Sequence, residues 1–250
     1  MPGEVRLRPE KSGDGYRSVH SELTRPITGD RVRTVVRGAG ELAFTSGLVV
    51  LLFAAYEVDG DGGRVDDTQN ALTDQLDQDW RDPTVGPAPG PVKVADTGPI
   101  GRLYIPKLDK EWVVVNGVAK ADIKGAPGHY PATAMPGQVG NFSVAGHRAR
   151  KFFWRIDELG PGDVIGVETK DYWYVYRMYG REVVKPQAVE VVAPVPDRPG
   201  AKPAKRLLTL TTCNPKYNNY QRLIVHAELA TRVKRDAELP DAGKPAVLKT

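Results

Sequence analysis

Cysteine is nearly missing from this chain: one in 250 residues, so no intramolecular disulfide can brace the fold. Long cationic runs and aromatic-basic alternation are also missing. The 35 Lys and Arg are interspersed with 31 Asp and Glu for a formal net charge of +4, which argues against a nucleic-acid partner. The four histidines are scattered, with no Cys/His or His/carboxylate grouping at ligand spacing along the chain, so neither a metal site nor a cofactor is expected. No Gly-rich loop follows a strand and opens a helix, which excludes the common phosphate cradle, and no internal repeat is present. What is present, 40% hydrophobic residues, suffices for one sizeable core with appendages.

The N-terminal fifth carries a membrane signal. Leu42 to Tyr56 contains no charge, and extending it back to Val35 approaches the roughly 20 residues a bilayer helix needs, at the expense of including Arg37 and Glu41. Arg37 can snorkel, and Glu41 is placed one turn inside the boundary, where a carboxylate costs less than at the centre. Arg25, Arg31, Arg33 and Arg37 precede the segment, whereas Glu57, Asp59, Asp61, Asp66 and Asp67 follow it, so a single pass with the N-terminus in the cytoplasm and the body outside is expected. A cleaved signal peptide is the plainer alternative, but no small-x-small cleavage pattern follows Tyr56; a buried core helix is the third. The resulting division is 1–34 as a disordered cytoplasmic tail, 35–58 as the anchor, 59–97 as an extracellular stalk, 98–230 as the folded domain and 231–250 as a disordered tail.

Within the stalk, Asp67 or Thr68 is placed to cap a short helix reaching Trp80, with Leu72, Leu76 and Trp80 on one face. Pro83 to Pro91 reads as an extended spacer. From Gly98 the chain alternates short apolar runs with turns. Strands are expected at 100–105, 111–115, 141–145, 164–167, 172–178, 188–192, 207–212 and 223–229, with a short helix at 152–159. Eight strands with so little helix predict a mostly β fold, a closed or nearly closed barrel. Pro194 to Lys205 reads as a flexible loop preceding the cysteine strand, a gate or an ordinary surface loop.

Cys213 ends the apolar run Leu207-Leu-Thr-Leu-Thr-Thr, and Arg222 opens the next run nine positions later. An antiparallel pair joined by a short turn would put guanidinium and sulfur side by side. A free thiol near pKa 8.5 is only about 3% thiolate at neutral pH, so a nucleophile needs a neighbour that moves its proton. His147, at a predicted strand end, is the best placed; His129, in a Gly/Pro-rich segment, and His226, mid-strand, are its rivals. Arginine does not deprotonate and so makes a poor base, but it can donate to the oxyanion of a tetrahedral intermediate. Plainer readings stand beside these: Cys213 as a small buried hydrophobe, His147 as a hydrogen-bonded surface or core residue, Arg222 as half of a salt bridge. Thr211 and Thr212 offer hydroxyls to a substrate, although strand threonines are usually only β-formers. Tyr130 is a candidate groove residue.

Thr209-Leu-Thr-Thr-Cys213, Arg222 within Gln-Arg-Leu-Ile-Val, and Ala145-Gly146-His147 after a strand together resemble the signature of sortases, membrane-anchored cysteine transpeptidases. Ile100 to Pro106, Gly128-His-Tyr-Pro131, Pro136 to Asn141 and Leu159-Gly-Pro-Gly-Asp163 extend the resemblance, most like the actinobacterial class E group of Gram-positive cells, over Gly98 to Leu229. The chain departs from that group at Asn214, where many relatives carry histidine, and in Arg148-Ala-Arg-Lys151 with Phe152-Phe-Trp154. The resemblance implies an eight-stranded sortase-type β-barrel whose catalytic residues are His147, Cys213 and Arg222, with Tyr130, Thr211 and Thr212 near the substrate. It also implies cleavage between Thr and Gly of a Leu-Ala/Pro-x-Thr-Gly sorting signal on secreted proteins, through a thioester, with transfer to an amine of a peptidoglycan precursor or pilin at the cell wall. Two alternatives remain: another cysteine acyltransferase such as an L,D-transpeptidase, whose Ser/His-Gly-Cys signature is absent here, and an anchored module that binds without catalysis.

Overall fold

The computed structural model describes residues 28–81 and 98–249. The chain divides into two units, 1–58 and 59–250. The expected spacer at 83–91 and the tail before Thr28 lie outside the described residues.

Helix α1 spans Thr28–Arg81. In the first unit its apolar stretch, Arg31–Ala54, is 24 residues long and contains an 18-residue window of mean hydropathy 1.5. At 1.5 Å per residue these cover about 36 Å, enough to cross a hydrocarbon core of about 30 Å. The side chains there are unburied: Leu42 is 70% and Phe44 75% exposed. Arg37 Nε meets Glu41 Oε1 at 2.9 Å one turn along, so the two charges noted in the sequence neutralise each other. Residues 28–34, expected as tail, are already helical, because nothing in Thr28–Thr34 breaks the pattern that follows.

In the second unit the helix expected near Trp80 is present as part of α1, without a separate start at Asp67 or Thr68. The helix runs through Thr68, whose hydroxyl donates back to the carbonyl of Arg64 rather than capping a new start. Its Leu72, Leu76 and Trp80 face packs on the barrel. Leu76 is 1% exposed, Gln69 exchanges hydrogen bonds with the Val113 backbone and donates to Gly125, and Trp80 lies between the guanidinium groups of Arg102 and Arg235 at 5.0 and 4.6 Å.

Eight strands close a barrel: β1 Pro99–Ile105, β2 Lys110–Asn116, β3 Gly128–His129, β4 Gly140–Ala145, β5 Val164–Glu168, β6 Tyr172–Val184, β7 Arg206–Asn214 and β8 Gln221–Lys234, ordered β1-β2-β3-β4-β7-β8-β6-β5. β4 runs parallel to β7, and β7 antiparallel to β8. Side-chain alternation sends Phe142, Val144, Leu208, Leu210, Leu223, Val225 and Ala227 into the core and leaves their neighbours on the outer face.

Two further expectations change. Ala188 to Val192 is not a strand: Val189–Val192 forms a 3-10 turn in which Val191 is buried and Val189 is 74% exposed, because no neighbouring strand presents a ladder to it. The eighth strand is instead Gly128–His129, too short to show a period in sequence. Residues 231–249, within the segment 231–250 expected as a disordered tail, pack on the barrel. β8 continues to Lys234 against Tyr172, Trp173 Nε1 donates to the Ala242 carbonyl, and Leu248 is 1% exposed in a cluster with Tyr104, Trp173 and Val175. Gly166 makes room for it, since a Cβ there would meet Leu248 at 2.6 Å. Polar composition concealed this docking: one apolar residue near the chain end seats it.

Candidate active site

The β4-β7-β8 ladder fixes where the three named side chains stand. Cys213 pairs with Arg222 across β7 and β8, so both side chains leave the same face. Leu208 and Leu210 point inward, which puts Thr209, Thr211 and Cys213 on the outer face; by the same alternation, inward Leu223 and Val225 put Arg222, Ile224 and His226 there too. Ala145 pairs with Thr211 across parallel β4 and β7. Two residues further along each, His147 and Cys213 leave the same end of that pair, so the thiol stands between the histidine loop and the arginine strand. Cys213 is partly exposed and reduced.

Local structure explains why the Ala-Gly-His turn has this composition. A Cβ on Gly146 would lie 2.7 Å from the Phe153 ring, so only glycine lets the following 3-10 turn, Phe153–Glu158, fold back over the barrel. Thr212, 3% exposed, donates its hydroxyl proton to the Gly146 carbonyl at 2.7 Å, and the Gly146 amide donates to the Thr211 carbonyl. The Thr212 side chain thus holds the histidine turn against the cysteine strand. Thr211 is buried and meets the Tyr130 hydroxyl at 3.1 Å, so these two form one contact beside the thiol. The His147 ring lies 6.3 Å from that of Phe152.

Arg222 Nη1 donates to the carbonyls of Asn219 and Gln221, both at 2.8 Å, which fixes the plane of the guanidinium within the β7–β8 turn. Three further N–H groups sit on Nη2 and Nε.

The sequence reading overlooked a second guanidinium. Arg148 is nearly buried, donates from Nε to the Trp154 carbonyl at 3.0 Å and pairs through Nη2 with Asp157 at 3.0 Å. Burial pushes it below the usual arginine range; Asp157 and the nearby Cys213 oppose that, and Arg181 adds to it. Asp157 also binds Lys216, three residues after the thiol, at 3.2 Å, while Lys216 lies over Trp154 and Trp154 meets Tyr217 edge-on at 5.1 Å. The histidine loop and the cysteine turn are therefore clasped by residues 148, 154, 157, 216 and 217. The only trace in sequence was the basic and aromatic run after His147.

The rival bases have other partners. His129 is 1% exposed, with Nδ1 3.0 Å from Asn116 Oδ1 and Nε2 3.1 Å from Thr133 Oγ1, and burial pushes it down to about 4. His226 is 5% exposed, between Thr209 and Glu182. No ligand grouping is visible along the chain, yet the fold brings Glu182, Asp197 and His226 together with their ligand atoms within 4.8 Å of one another. A cavity of about 520 Å³ opens between Pro131–Met135, Gln138–Asn141, Pro194 and Pro203, at the other end of the β4–β7 pair from Cys213.

Fold and site together define a closed-barrel protein built around one thiol flanked by an imidazole-bearing loop and a guanidinium. A sortase domain family model matches residues 103–230. The chain is 35% identical over 216 residues to sortase SrtE1 of Streptomyces coelicolor, covering 82% of this chain but 60% of that protein, and 35% identical over 216 residues to SrtE2 of the same organism, covering 80% and 83%. The crystal structure of S. coelicolor sortase E1 with a tripeptide in its active site superposes with a TM-score of 0.52 at 39% identity, covering 58% of this chain and 95% of that one. The chain belongs to the sortase family, the family of cysteine transpeptidases.

Proposed function

We propose that this protein is a membrane-tethered transpeptidase in which Cys213 is the nucleophile, His147 the proton carrier and Arg222 the oxyanion donor. The observation that carries this reading is the Cys213–Arg222 pair on one outer face, with the Ala-Gly-His turn at the adjoining strand end. In the first half-reaction the Cys213 thiol passes its proton to His147 and Sγ bonds to the carbonyl carbon of the signal threonine; the Thr–Gly bond breaks, and the departing glycine amine takes that proton from His147. In the second, an amine attacks the thioester, the C–S bond breaks, and His147 accepts the amine proton. The thioester conserves acyl-transfer potential, so no nucleotide is needed. Arg222 donates to the oxyanion in both steps, a contribution typically worth about 10² to 10³ in rate.

The substrate in this reading is a secreted protein bearing a Leu-Ala/Pro-x-Thr-Gly signal, and the acceptor a cell-wall or pilin amine. The apolar part of α1 spans the membrane with its arginine-rich end inside, leaving the barrel on the outer surface. Tyr130 and Thr211 border the peptide beside the thiol, while Thr212 positions the His147 turn.

Mass analysis of the full chain in detergent with a sorting-signal peptide and an amine tests this. The wild type is expected to accumulate a thioester adduct and to yield the new amide. Cys213→Ala should give neither, whereas Arg222→Ala should still form the adduct about 10² more slowly or worse. Turnover retained by Cys213→Ala refutes the nucleophile, and wild-type binding of the peptide without any adduct favours a module that only binds.

A further inference from the structure

The cluster that tertiary folding assembles on the outer face has a defined proton arrangement. Asn141 directs its amide nitrogen at the carbonyls of Ala193 (3.1 Å) and Val191 (3.4 Å), which only accept, so its Oδ1 faces Thr209. The Thr209 hydroxyl must then donate to Asn141 Oδ1 at 2.9 Å, and it accepts from His226 Nδ1, also at 2.9 Å. With the proton on Nδ1, a neutral His226 presents a bare lone pair at Nε2. That nitrogen faces Glu182 Oε1 at 3.2 Å and lies in the group completed by Asp197. Three electron-pair donors stand within 4.8 Å of one another, close enough for small rotations of the accessible Glu182 and Asp197 side chains to bring all three onto one cation.

We propose that Glu182, Asp197 and His226 Nε2 bind one divalent transition-metal cation, Zn²⁺ in the first place. One imidazole with two carboxylates suits zinc better than the all-oxygen shell that calcium takes. The 3.2 Å between Nε2 and Glu182 Oε1 matches the edge of a tetrahedron with metal bonds of about 2.0 Å, which is roughly 3.3 Å, and the spacings to Asp197, within 4.8 Å, close by rotation of that exposed side chain. Thr209 holds the ring through Nδ1, as ligating histidines require, and Tyr179 stacks on the imidazole at 5.9 Å and 14°. Glu182 and Asp197 are accessible, so an ion can enter and keep a water ligand.

The ligands come from β6, from the segment between β6 and β7, and from β8. Bound cation would tie residues 185–205 to the barrel, the same segment whose Pro194 and Pro203 wall the cavity and whose carbonyls Asn141 holds. His226 lies four residues from Arg222 along the same face, roughly 13 Å at strand spacing, so the tether acts beside the peptide-binding surface rather than at the thiol.

Calorimetric titration of ZnCl₂ into the full-length chain in detergent tests the site, using a Cys213→Ala background so that the thiol cannot be the ligand. One equivalent should bind, and Tm should rise by a few degrees at ~100 μM Zn²⁺. Glu182→Gln and Asp197→Asn, both conservative and at accessible positions, should each weaken binding about tenfold or more while circular dichroism stays unchanged. Absence of saturable binding, or binding that survives both substitutions, overturns the proposal. Imidazole nitrogen resonances of His226 that do not move when Zn²⁺ is added overturn it as well. None of these readouts uses peptide turnover, so the result is independent of the transpeptidase assignment.

Discussion

Acidification from neutral pH should weaken the barrel by about 3 kcal/mol through His129 alone. The ring is 1% exposed beneath the loop that leads to β4, and burial pulls its pKa from 6.5 to about 4 despite the opposing bonds to Ala134 and Thr133. In the unfolded chain the same imidazole takes up a proton near 6.5. Between those values the unfolded state binds more protons than the folded one, so stability falls as pH falls. The contribution is whole above about pH 6.5, declines through the interval and is gone below about pH 4. At about 1.4 kcal/mol per pH unit the interval is worth about 3 kcal/mol. The assay is urea unfolding of the barrel, followed by tryptophan fluorescence in detergent at steps between about pH 7 and about pH 4, for wild type and His129→Gln. Glutamine keeps an amide donor and acceptor but does not titrate, so it should lower stability at neutral pH and flatten the acid limb. Parallel curves for the two proteins would refute the reasoning: His129 would then carry its proton in the folded state and be restored as a rival base.

Thr212→Val keeps shape but removes the hydrogen bond to the Gly146 carbonyl, so about 1 to 3 kcal/mol of stability should be lost. Because the His147 turn then loosens, the rate of amide formation should fall more than peptide affinity does; an unchanged kcat would show that the turn is held without Thr212. Leu248→Ala should cost about 2 to 4 kcal/mol by opening a cavity against Gly166 and Trp173, measured by denaturant midpoint. A change below about 0.5 kcal/mol would mean that the C-terminal segment does not dock in solution.

Much of the barrel was legible because its strands are short runs of apolar, β-branched and aromatic residues bounded by Gly, Pro, Asn and Asp. Leu207 to Thr212 and Leu223 to Leu229 are such runs, and the short turn between them was enough to forecast a thiol and a guanidinium side by side across an antiparallel pair. Val189 to Val192 misled because β-branched residues satisfy a strand pattern whether or not a partner strand is present. Gly128–His129 was missed for the opposite reason: two residues have no period, and only their position between β2 and β4 makes them a strand.

The sequence by itself determined the apolar helix, the alternating strands, and the three motifs that mark the thiol, the imidazole and the guanidinium, since each is written in residues close together in the chain. Only the tertiary structure decided that the helix continues to Arg81 and packs Leu76 on the barrel, and that Leu248 returns to the core. It alone brought Arg148, Asp157 and Lys216 into one clasp, and Glu182, Asp197 and His226 within reach of a single ion. Those groupings join residues from separate elements, and which of them meet is set by barrel closure and strand register, quantities that no local stretch of sequence contains.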